Sequence, residues 1–124
     1  MGRLLTKPGV DFGTSLAPAG ARILDVLKRL VASYSFDVTI TSARDGAHSG
    51  PNDPHHSGEA FDLRTKPLTS EQKATLLTDL RETLYKTPRK FWVDLEAPEQ
   101  PYEHIHVQRR KGVTYTVQDY LQNA

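Results

Sequence analysis

Two runs with a helical repeat, set among short runs with a strand repeat, restrict the kind of fold open to this chain. In SLAPAGARILDVLKRLVASY (15–34), Leu16, Ile23, Leu24, Leu27, Leu30, Val31 and Tyr34 recur at helical spacing, with Pro18 near the first turn and Lys28 and Arg29 late. In TSEQKATLLTDLRETLYKT (69–87), Thr69 or Ser70 supplies an N-cap, Leu76, Leu77, Leu80 and Leu84 share a face, and the helix stops before Pro88. FDVTIT (36–41), EAFDLRT (59–65), KFWVDLE (90–96) and EHIHVQRR (103–110) read as strands, the last two forming a hairpin across the Pro98 to Pro101 turn. A short helix over TVQDYLQN (116–123) closes the chain. The order α, β, β, α, β, β, α predicts an α+β fold, a small antiparallel sheet flanked by two main helices. Residues 1–15, interrupted by Pro8, Gly9 and Gly13, read as a poorly patterned arm. With 124 residues the chain supports one modest core and is read as a single domain.

Composition removes several functions. Sixteen Lys+Arg against fifteen Asp+Glu give a net charge of +1, which is not the footprint of a dedicated nucleic-acid binder. No run approaches the roughly 18 apolar residues of a membrane helix, and no apolar export signal precedes Pro8. MGRLLT fits the loose myristoylation pattern, a match common by chance. Cysteine is absent, so disulfides, thiolate nucleophiles and Cys-type zinc sites are excluded together, leaving His, Asp and Glu as metal ligands.

All five histidines fall in two windows, His48, His55 and His56 before the second strand and His104 and His106 on the last. On a strand His104 and His106 point to one face while Ile105 points to the core. An isolated His-x-His is more often a solvated pair, but clustering in two windows is what a site assembled from separate strands requires. Asp62 stands among Ala60, Phe61 and Leu63, where an unpaired carboxylate is costly, so a cation should meet it: a metal, Arg64 or Arg44. Gly58 permits a sharp turn that aims His55 and Asp62 at one point.

At these residues the chain resembles the zinc peptidases that share a fold with D-alanyl-D-alanine carboxypeptidases, lysostaphin-type endopeptidases and the hedgehog signalling domain. Their motif, Ser-x-His-x-x-Gly-x-Ala-x-Asp followed by Glu-x-x-His or His-x-His, is matched by His55, Gly58, Ala60 and Asp62 and by Glu103, His104 and His106. Asp53 stands where the motif has Ser. The resemblance runs from about Ile40 to Val107 and implies a hedgehog/D,D-peptidase-like fold. It implies a Zn²⁺ held by His55, Asp62 and His106 with an open fourth position, and hydrolysis of peptidoglycan peptide bonds of the D,D-carboxypeptidase or endopeptidase type.

The general base is expected to be Glu103 on its spacing to His106, provided a bend precedes His104, with Glu96 as runner-up. His104 is a candidate oxyanion donor or orienter of the base, and Arg44 a candidate grip on a substrate carboxylate or a partner of Asp45 or Asp62. His48 is the alternative ligand, and His56 is expected to face solvent. Trp92 and Phe91 could wall a peptide site, core packing being expected of at least one, and the RRK run at 109–111 reads as a solvated strand end. The partner implied is a peptidoglycan peptide, met by a monomer that is cytoplasmic as synthesised and reaches the wall by phage-type release or another route. The competing reading is a hedgehog-like domain that binds zinc, or a protein partner, without turnover; a third is a site that holds no metal.

Overall fold

The computed structural model describes residues 1–12, 16–43, 58–86 and 89–123. The elements follow as β1 (Leu4–Thr6), α1 (Pro18–Ala32), β2 (Val38–Ser42), β3 (Ala60–Arg64), α2 (Ser70–Leu84), β4 (Phe91–Glu96), β5 (His104–Arg109) and α3 (Val117–Asn123). The fold class is α+β, but the sheet is mixed rather than antiparallel and has five strands in the order β1-β2-β3-β5-β4. The extra strand comes from the arm. Leu4 to Thr6 pair parallel with Val38 to Ile40, clamped by Gly2 N–H to Tyr34 O and by the Arg3 amide and guanidinium on Asp37. Three residues ahead of a Pro-Gly break carry too little alternation to read as a strand, and their partner lies a helix away in the chain.

Each helix begins where its local chemistry allows. Pro18 occupies the first turn of α1, where its missing N–H has no intrahelical partner to lose. Thr69 and Gln72 close a reciprocal capping box on α2, satisfying two orphan backbone donors. Alternation along the strands then sorts the sheet into two faces. Val38, Ile40, Phe61, Leu63, Phe91, Val93, Ile105 and Val107 are buried against Ile23, Val26 and Leu27 of α1 and Leu76, Leu80 and Leu84 of α2. Burying each such side chain contributes roughly 1.5–3 kcal/mol, so this one cluster is the main cohesive element of the fold. Phe91 is core, as expected of one of the two aromatics on β4. Among the described residues α1 and α2 both pack on this apolar face, and α3 packs on α1. No described helix is long and apolar enough to cross a membrane.

Two backbone features set where β3 begins. Gly58 has φ of +71°, a left-handed conformation that favours glycine. A Cβ at Gly20 of α1 would stand 1.9 Å from the Gly58 carbonyl oxygen, so the helix and the turn approach at a distance only glycine permits. Between Ile40 and Ser42 the β2–β3 register shifts, so that Ser42 pairs with Asp62, a bulge directly beside that residue.

Candidate metal centre

The polar face of the sheet carries His104 and His106. Antiparallel register aligns Arg64, His104 and Glu96 in one row, Asp62, His106 and Asp94 in the next, and Ala60, Gln108 and Trp92 in the third. Because β5 lies between β3 and β4, its residues at alternate positions 104, 106 and 108 meet partners on both sides. The apolar residues between them anchor the strand: Ile105 and Val107 are fully buried on the opposite face.

Three donor atoms converge in this array. His106 Nδ1 lies 2.7 Å from Asp62 Oδ1, and His104 Nε2 lies 3.7 Å from the same oxygen. Asp62, His104 and His106 each present one ligand atom within 4.8 Å of the others, a cluster able to hold a metal ion. The remaining nitrogen of each ring is engaged. His104 Nδ1 is 2.9 Å from the Tyr102 carbonyl, and His106 Nε2 is 2.6 Å from Gln108 Oε1. An N–H donated outward from each ring would leave the inward nitrogen with a lone pair for a cation, the arrangement that outer partners impose on metal-binding histidines. Burial disfavours an imidazolium at His106, yet hydrogen bonds to Asp62 and Gln108 and the charges of Asp62 and Glu96 outweigh it and raise its pKa. Among the described residues the Asp62 carboxylate lies against the His106 ring, and its charge is one cause of that raised pKa.

The two glutamates considered as base are placed differently. Glu96 Oε1 is 2.9 Å from His104 Nε2, on the same face as the cluster. Glu103 is turned towards α2. Its Oε1 accepts from the Thr65 hydroxyl at 2.5 Å and Lys73 Nζ at 3.0 Å, and its Oε2 from the Glu99 amide at 2.8 Å and Lys73 Nζ at 3.3 Å. These contacts, the Glu99 amide first and then Thr65 and Lys73, hold its pKa down to about 2. The Glu103 carboxylate is thus engaged by α2 and the turn before β5, whereas Glu96 is the glutamate bonded to a histidine of the cluster.

The remaining sequence candidates divide as follows. Trp92 is half-buried with its ring 5.8 Å from that of His106, so it flanks the cluster. Arg109 is not a solvated strand end: its guanidinium pairs with Glu59. Gln108 was not singled out in the sequence, although the i, i+2 alternation that aligns His104 with His106 extends to it. His48, His55, His56 and Arg44 lie outside the described residues. Beside Asp62 and His104 a depression of about 350 Å³, lined also by Thr41, Arg64, Tyr102 and Glu103, leaves room for a reacting group next to the cluster. Comparison of the chain with protein-family profiles, with curated proteins and with solved structures returned no match.

Proposed function

We propose that the protein is a zinc-dependent peptidase acting on peptidoglycan peptides, with Asp62 and His106 as ligands, His55 completing the set, and Glu96 rather than Glu103 as general base. The observation that carries this reading is the convergence of Asp62, His104 and His106 on an otherwise polar sheet face with Glu96 bonded to His104. A donor set of imidazole nitrogens and one carboxylate, without thiolates, suits Zn²⁺. When bound, such an ion would acidify a water towards a pKa of about 7 and polarise a carbonyl. Glu96, on the side of His104 away from the ordered Glu103 network, is positioned to accept a proton. His104 Nε2, at 2.9 Å from Glu96 Oε1, can share that proton and hold the carboxylate in one orientation. Arg64, in register with His104, contributes a positive charge at the edge of the depression in which a scissile carbonyl would sit.

The test combines metal analysis with turnover. Protein purified without added metal and then exchanged into zinc should bind one equivalent. It should also hydrolyse D,D- or L,D-linked wall peptides in a chelator-sensitive manner, whereas Glu96→Gln should bind zinc and fail to turn over. Zinc binding with no hydrolysis of any wall peptide would favour the non-catalytic, hedgehog-like reading, and no zinc binding would remove both.

A further inference from the structure

Beyond the third row of the array the sheet face opens into a groove of about 750 Å³ lined by Arg89, Trp92, Gln108, Arg110, Lys111 and Val113. Three of these side chains are cationic and none is a carboxylate. Neighbouring cations are neutralised, Lys90 by Asp119, Arg109 by Glu59 and Arg81 by Asp94. Among the described residues no carboxylate pairs with Arg89, Arg110 or Lys111. Arg110 is held in place by Nε donating to the Phe91 carbonyl at 3.0 Å, which leaves its terminal nitrogens for another acceptor. Arg89 sits at φ of +65°, a backbone conformation unfavourable for a side chain of its type. The groove is continuous with the metal cluster: the Trp92 ring faces His106, and Gln108 bonds His106 Nε2.

We propose that this groove is a carboxylate-recognition subsite, selecting a peptide with an acidic residue about one or two positions from the bond held at the cluster. The proposal rests on the peptidase reading for the word substrate, though not for binding. The spacing follows from the register: two residues of strand, about 7 Å, separate Trp92 and Gln108 from the His106 row, the span of about two extended peptide residues. The recognition follows from the chemistry. Guanidinium groups grip a carboxylate through paired N–H donors, a third cation adds charge, and the indole face covers the aliphatic stem of an acidic residue. A peptide fits better than a nucleic acid, because Glu96 lies along the continuation of the groove and repels an unbroken run of phosphates, and because the chain as a whole carries only +1.

Trp92 is the single tryptophan and lines this groove, so its fluorescence reports on binding there, and the arginine and lysine variants separate that signal from binding at the cluster. The metal-free protein is titrated with an end-blocked pentapeptide containing two glutamates, with its glutamine counterpart, and with a thymidine oligonucleotide of equal charge. The glutamate peptide should perturb Trp92 and bind roughly tenfold tighter than the glutamine peptide, as two exposed charge pairs would provide. That preference should fall with added salt and vanish in the Arg89→Gln/Lys111→Gln variant, whose exposed positions preserve the fold as checked by circular dichroism. Arg110→Gln provides a second, independent loss. Equal binding of the two peptides, a preference surviving the double variant, or tighter binding of the oligonucleotide would each overturn the proposal. Selective binding without any hydrolysis would remove the peptidase reading and leave the subsite standing; hydrolysis without selective binding would remove the subsite alone.

Discussion

Each oxygen of the Glu103 carboxylate accepts two hydrogen bonds, and the side chain is only 9% exposed, so its charge is held where Lys73 and Thr65 need it. Replacing it by glutamine leaves Lys73 without a counter-charge in a part-buried pocket. Glu103→Gln should therefore destabilise the fold by roughly 1–3 kcal/mol in urea unfolding while zinc affinity and hydrolysis change little. Glu96→Gln should do the reverse. Its side chain is about one-third exposed, so stability should move by less than about 0.5 kcal/mol, whereas kcat should fall at least ~100-fold if it is the base. A loss of turnover confined to Glu103→Gln would return the role to that residue. Much of the cluster was legible at this scale: alternation alone puts His104 and His106 on one face with Ile105 in the core, and an apolar frame around Asp62 demands a positive partner. What spacing cannot state is which way a carboxylate just outside a strand will turn. That was decided by Lys73, thirty residues away on α2.

Among the elements, α1 and β3 meet through the two glycines, and this contact sets where β3 begins relative to the helix layer. A methyl group at Gly20 would collide with the Gly58 carbonyl oxygen, a backbone atom that cannot swing aside. Gly20→Ala gains up to about 1 kcal/mol of helix propensity, but overpacking against backbone costs typically 1–3 kcal/mol, so the variant should melt lower. Because Gly58 lies four residues before Asp62, it should also bind zinc more weakly, read by competition with a chelating dye. α3 offers a pH-dependent counterpart remote from the cluster. The Thr116 amide and Lys90 ammonium, together with the Thr116 hydroxyl, lower the pKa of Asp119 below its ordinary value of 3.8. Since the folded pKa is depressed, the stabilisation is present above about pH 3.8 and is lost as pH falls through the lower folded value. Amide exchange in α3 should accelerate over that acid range in the wild type and be already fast at neutral pH in Asp119→Asn. The helices and four strands were readable because each carries its own period, with Pro18 opening α1 and Thr69 capping α2. β1 was not, because a three-residue parallel strand is specified by Asp37 and the β2 edge rather than by its own pattern.

For the molecule as a whole, the sheet separates two tasks: one face is closed by α1 and α2 and supplies cohesion, while the other holds polar groups that the core neither needs nor tolerates. The cluster bridges β3 and β5, where Asp62 and His106 are 44 positions apart, so an ion bound there would cross-link strands that only the completed fold brings together. Unfolded chains lack that juxtaposition and bind the ion weakly, which couples metal affinity to global stability. At free zinc about 100 times Kd the folded state should gain about 2.7 kcal/mol. For a domain of this length that corresponds to a rise in Tm of roughly 8–12 °C, reversed by a chelator. Asp62→Asn and His106→Ala should each abolish the rise. The Arg89→Gln/Lys111→Gln variant, altered only in the neighbouring groove, should show it in full. If zinc leaves the wild-type Tm unchanged, or raises that of His106→Ala equally, the histidines of β5 are a hydrogen-bonded polar patch and the ion, with the hydrolytic chemistry built on it, has no place in this fold.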